Sequence, residues 1–179
     1  MEHVNIKIFA TGDSSNVRFA DAIPAFHRWI QSRDLPELLI DVADYSHVPA
    51  GPGVLVIGHE ANYALDNERN RPGLLYSRKV ADGTTAGDGL RRAYDSALSA
   101  SRRLEAEPEF QGKLRFNTGE IEITLNDRLL YPNTDDGWKS VEPELTAFLD
   151  GLYGSGMYNV TRPADPRERL SVHVVAARS

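Results

Sequence analysis

The 179-residue chain has no cysteine. Its absence excludes disulfides, thiolate nucleophiles, cysteine-ligated zinc and iron–sulfur clusters together. Long apolar runs are also missing. No stretch approaches the roughly 20 apolar residues that a membrane helix needs. The first residues, Met1-Glu2-His3-Val4-Asn5, have neither the basic region nor the apolar core of a signal peptide. A cytoplasmic protein outside the membrane is the expectation. Excess positive charge is lacking too. The formal net charge is −6 and the isoelectric point is near 5.4, so attraction to a phosphate backbone has no footing and nucleic acid is not an expected partner. The last absences are motifs. The chain has no GxxxxGK[ST] or GxGxxG phosphate loop, no HExxH metal helix and no GxSxG elbow. No cofactor and no metal is implied.

What is present describes a folded domain. The length suits one domain and buries roughly 70% of the unfolded chain's surface. Val4, Ile6 and Ile8 alternate with Asn5 and Lys7, the period of a strand with one wet face. Thr11–Asn16 reads as a turn cluster. Asp21 is a candidate cap for a helix whose apolar stripe is Ile23, Phe26 and Ile30, broadened by Trp29, with Pro24 in the first turn and Pro36 beyond the end.

The stretch from Glu37 to Lys79 holds the densest apolar runs, Leu38 to Val42 and Val54 to Ile57, either side of Pro49-Ala50-Gly51-Pro52-Gly53. Both runs read as strands buried on two faces, and the short connection makes them antiparallel neighbours. Pairing Val48 with Gly53 sets Asp41 opposite Glu60 and Val42 opposite His59. Ala61 to Pro72 reads as a loop, and Gly73 to Lys79 as a strand returning to the turn end. The Gly/Thr segment 81–89 opens the best helix, with Leu90, Ala93, Tyr94, Ala97, Leu98, Ser101 and Leu104 on one face.

Downstream, Leu114–Phe116, Ile121–Leu125 and Arg128–Tyr131 read as a meander turned at Thr118-Gly119 and Asn126-Asp127. Pro143 places the start of the last helix at Ser140, with Val141, Leu145, Phe148, Leu149 and Leu152 buried, and Gly154 and Gly156 end it. A final strand buries Leu170, Val172 and Val174. The order β-α-β-β-β-α-β-β-β-α-β predicts one α+β domain over residues 1–179, a mixed, mostly antiparallel sheet with about three helices packed on it.

Two polar clusters flank the 38–79 stretch. At the base are Asp41, His59, Glu60 and Asp66; His with carboxylates suits acid–base work or a divalent metal, and His59, Glu60 and Asp66 are the candidate catalytic groups. Register argues against easy convergence, since adjacent strand residues point to opposite faces. At the turn end are His47, Arg78, Arg91 and Arg92. Arg91 and Arg92 fall in the first turn expected for the helix, where cations oppose the dipole and a bound anion would relieve them. His47 and His59 lie roughly 15–20 Å apart along a strand rise of about 3.4 Å, too far to share a metal. Ser46-His47 does not form a nucleophile–base couple, being adjacent. Tyr153, Met157 and Tyr158 lie among glycines and would mark a partner surface if exposed.

These features support two functions. The first is a soluble, non-catalytic accessory or binding protein acting through a protein partner or self-association. The second is a small-molecule enzyme or anion-ligand-binding domain with its site at one end of the 38–79 hairpin.

Overall fold

The computed structural model describes residues 3–11, 17–80 and 85–177. The expected turn cluster at 12–16 and the loop residues 81–84 lie outside them.

Strand β1 (Val4–Ala10) is an interior strand of the sheet, between β5 (Gly73–Arg78) and β6 (Phe116–Leu125). The other strands are β2 (Leu39–Tyr45), β3 (Gly53–Gly58), β4 (Ala61–Asp66), β7 (Tyr158–Thr161) and β8 (Ser171–Ala176). They form one eight-stranded sheet in the order β2-β3-β4-β5-β1-β6-β8-β7, antiparallel at every pairing. Among the described residues three α-helices complete an α+β arrangement: α1 (Ala22–Ser32), α2 (Ala86–Ala106) and α3 (Asp135–Tyr153).

The core explains the layering. Sheet residues of a single parity, Ile6, Ile8, Val56, Tyr63, Leu65, Leu74, Ile121, Ile123, Val172 and Val174, share one cluster with apolar residues of all three helices. Successive strand residues face opposite ways, so the helices occupy one side of the sheet. Trp29 and Phe26 of α1 are fully buried there, with ring centroids 4.9 Å apart. Each such side chain contributes on the order of 1.5–3 kcal/mol by leaving water. The other side carries Asn5, Lys7, Phe9, Glu120, Glu122, Thr124, Ser171 and His173, a polar surface crossed by loops.

The helices begin where their caps allow. Thr85 accepts a hydrogen bond from the Asp88 backbone N–H (3.2 Å), and Thr134 accepts one from that of Gly137 (3.1 Å). Thus α3 starts at Asp135, not Ser140, and Pro143 sits inside the helix. The cap at Thr134 and the acidic first turn, Asp135 and Asp136, outweigh one lost backbone bond. Gly154, at φ 93°, closes α3. Helix α2 starts at Ala86, which places Arg91 and Arg92 in its second turn rather than its first.

Several sequence expectations fail for identifiable reasons. Strand β2 is an edge strand, not one buried on two faces: Ile40 is 57% exposed, and Leu38, just before the strand, is 59% exposed. Its register with β3 pairs Tyr45 with Gly53 and Asp41 with Ile57, because residues 46–52 all belong to the connection and a bulge follows Leu39. Ala61–Asp66 is a strand rather than a loop: its polar Asn62 and Asp66 share the side away from the helices, while Tyr63 and Leu65 are fully buried. Thr118-Gly119 does not reverse the chain. Ile8 pairs with Ile121 and Ala10 with Phe116, so residues 117–120 bulge opposite Phe9 and β6 runs on. Arg128–Tyr131 is a turn, with the Asp127 carboxylate accepting from the Leu129 and Leu130 amides. Tyr153 and Tyr158 are half-buried rather than exposed. Their hydroxyls donate to Thr118 O (2.7 Å) and Asp150 Oδ1 (2.8 Å), and burial and the Asp150 bond push Tyr158 up to about 12. Only Met157 of that trio stands in water.

Candidate functional site

The β3–β4 and β4–β5 connections decide where the polar residues go. His59 and Glu60 form the tight β3–β4 turn and are exposed. Asp66 is at the other end of β4, six residues on and roughly 20 Å away at the rise of a strand. The structure therefore does not bring His59, Glu60 and Asp66 together. Asp66 is 2% exposed and forms an ion pair with buried Lys7 of β1 on the open side of the sheet. Burial pushes its carboxyl up, and the Lys7 ammonium acts against that shift. Asp41 is exposed on the edge strand, opposite Ile57.

The second predicted cluster also divides. His47 is exposed in the β2–β3 connection, level with the β4–β5 turn. Because β4 intervenes, β5 runs the opposite way from that expected, and Arg78 pairs with Ala61 at the far end. Arg91 is exposed and bonds Asp95 at 3.2 Å. Arg78 and Arg92 do come together, with Glu60, at the mouth of one cavity. Among the described residues no three His, Asp or Glu side chains converge as metal ligands.

That cavity, about 630 Å³, lies on the helix side of the sheet over β4 and β5, at the end marked by the β3–β4 turn, against α2. Its floor is built from residues that sequence reasoning did not single out. Tyr63 and Tyr76 are direct cross-strand partners, with rings 5.2 Å apart and inclined at 61°. Trp29 meets Tyr63 edge-on at 6.3 Å and fixes its ring. The segment between α1 and β2 starts with Arg33 in the left-handed region (φ 55°) and carries Glu37 over these tyrosines. Glu37 Oε2 accepts the Tyr63 hydroxyl, while Oε1 accepts Tyr76 Oη at 3.2 Å and Ser96 Oγ of α2 at 3.3 Å. Leu35, Pro36 and Val80 add apolar wall, and Asp95 stands with the two arginines at the rim.

The electrostatics of this floor are unusual. Glu37 is 9% exposed, and a carboxylate so buried ordinarily has a cation beside it. Here its hydrogen-bond partners are three neutral hydroxyls, and among the described residues Glu37 has no ion pair. Burial first, then Glu37 itself, pushes the Tyr63 and Tyr76 hydroxyls above the usual phenol range. Both therefore remain donors at every working pH. A carboxylate oxygen has two acceptor positions, so Oε2, holding one donor, retains capacity for another.

Two further facts bear on function. No described helix is long and apolar enough to cross a membrane. The sequence matches no protein-family model and no curated protein.

Proposed function

We propose that the protein binds a small molecule with a cationic head, an ammonium or guanidinium, in the cavity over Glu37. One observation carries this reading: a buried carboxylate, held by three neutral hydroxyls and unpaired with any cation among the described residues, at the floor of a cavity of about 630 Å³. That volume is within the roughly 300–1,000 Å³ of small-molecule sites. A ligand cation would supply the missing countercharge where water is largely excluded. Its apolar body would meet Leu35, Pro36 and Val80. The tyrosines hold the carboxylate in place beforehand, so little ordering is required on binding. The test is calorimetry with alkylamines and alkylguanidines of graded length against carboxylates of equal length. The cations bind saturably, and Glu37→Gln, whose single amide oxygen can still accept from one of the two tyrosine hydroxyls, weakens them at least tenfold, about 1.4 kcal/mol. Failure of every cation to bind, or unchanged binding by Glu37→Gln, overturns the proposal.

A second reading, an accessory protein acting through a partner chain, is favoured by β2. This edge strand exposes Ile40, next to exposed Leu38 just before it, together with a row of backbone groups that no strand pairs among the described residues. Asp41 and Asp44 also line it, so pairing two copies would set carboxylates close together. A basic, apolar extended segment of another protein fits better than self-association. Ile40→Lys would then abolish capture of that partner while changing stability by less than about 0.5 kcal/mol. A strictly monomeric chain that captures no basic strand peptide would remove this reading.

A further inference from the structure

A second cavity, about 480 Å³, lies on the open side of the sheet, and its floor follows from strand register. Thr124 of β6 pairs with Asn5 of β1 on one flank and Ser171 of β8 on the other, giving a row of three short polar side chains. Ser171 is buried although its side is the polar one. Loops form the walls, and they bring arginines. Arg128 follows β6; Arg167 and Arg169 precede β8.

The charge pairing in this cavity is uneven. Asp66 is taken by Lys7, and Glu122 and Glu168 both face Arg69, at 3.7 and 3.2 Å. Arg167 is paired with Asp165 at 2.8 Å. Arg128 and Arg169 are different. Arg128 donates to the Arg167 backbone carbonyl, and Arg169 Nη1 donates to Asn126 Oδ1 at 2.9 Å. Asn126 is itself anchored, its Nδ2 donating to Asn5 Oδ1 at 2.6 Å. Among the described residues neither guanidinium meets a carboxylate. Each is thus aimed by a neutral acceptor, with no carboxylate within ion-pair distance among the described residues. Glu68, the remaining carboxylate of the cavity, lies in the turn after β4 and forms no ion pair with either arginine among the described residues.

We infer that this cavity is an oxyanion site, with Arg128 and Arg169 gripping a phosphate or carboxylate group over the Thr124 and Ser171 hydroxyls. Guanidinium groups suit it because their planar forks match the oxygens of either anion. The hydroxyls can donate to the same oxygens. The site is independent of Glu37, which lies on the other side of the sheet.

Calorimetry on the full chain at constant ionic strength tests this, with inorganic phosphate, pyrophosphate and citrate as probes and sodium chloride as control. The expected result is saturable binding of at least one probe, weakened tenfold or more by Arg128→Gln with Arg169→Gln. Both arginines are exposed, so thermal melting of the double variant should match the parent. Glu37→Gln should bind the anion unchanged. Response to phosphate or pyrophosphate alone marks a phosphorylated ligand, and response to citrate alone marks a carboxylate ligand. Either supports the site. No saturable binding by any probe, or equal binding by the double variant, overturns it.

Discussion

Single residues hold this fold together when they answer groups from several elements. Glu107, just past α2, is the clearest. Its Oε1 accepts the Trp29 indole N–H at 2.7 Å, and its Oε2 accepts Arg28 Nε and Nη2 at 3.0 and 2.6 Å. Glu109 takes the other side of the Arg28 fork, and that bond holds its carboxyl below the usual range. Trp29 is fully buried, so its N–H has no water to turn to. An orphaned buried donor costs roughly 1–3 kcal/mol. Glu107→Ala is therefore expected to destabilise by about 2 kcal/mol in denaturant unfolding. Glu107→Gln, whose amide oxygen can still accept the indole, should cost less than half of that. Equal losses would show that the Arg28 pair, not the indole bond, matters. Glu37 works similarly, with donors from β4, β5 and α2, and it faces a cavity.

Elements show where local signals and tertiary structure part. Pro143 lies inside α3, where it removes one backbone hydrogen bond. Pro143→Ala restores the N–H and is expected to raise stability by about 1 kcal/mol, partly offset by the greater freedom of the unfolded chain. A shift of the denaturation midpoint at constant m-value would show it. The α+β class, the buried stripes of α1 and α2 and the Gly154 stop were legible because each rests on periodicity or a local cap. Strand order was not. The alternation Asn62-Tyr63-Ala64-Leu65 hid among polar neighbours, and Thr118-Gly119 looked like a turn where the sheet accepts a bulge. The site failed to show for the same reason. Tyr63, Tyr76 and Glu37 are 26 and 39 residues apart along the chain, and only the β4–β5 register sets the two rings side by side. Glu60, Arg78 and Arg92 were read as members of two separate sites and now share one mouth. Asp66, read with His59, is the partner of Lys7.

At the scale of the molecule, the sheet divides two demands. Its helix side presents the buried Glu37 side chain to one cavity, and its open side presents two guanidiniums without ion-pair partners among the described residues to another. Groups on both sides of the sheet set the acid response, Glu120 on the open side and Glu109, bound by Arg28 of α1, on the helix side. Burial works to raise the Glu120 carboxyl, but hydrogen bonds from Arg71 and from His173 (2.8 Å) outweigh it and hold it below its ordinary value. Arg71 is fixed in turn over the Phe9 ring at 4.1 Å. Glu109 is held low by Arg28. A carboxylate depressed on folding adds stability above its unfolded pKa of about 4.3, and that stability is lost as pH falls through the folded value. Asp66 has the opposite sign. Burial raises it, so its contribution is complete below the unfolded value of about 3.9 and declines as pH rises through the folded one. The two depressed glutamates, with Asp44 and Asp165, which hydrogen bonds from Ser46 and Arg167 also hold low, should form the acid limb, with the melting temperature falling from about pH 5 downward. Glu120→Gln separates their parts. Relative to the parent it should melt lower at pH 7, lose less between pH 5 and 3, and converge with it near pH 3. A constant offset from pH 7 to 3 would mean that Glu120 carries no proton-linked stability. The acid limb would then belong to the other depressed carboxylates, Glu109 in its Arg28 fork, Asp44 and Asp165.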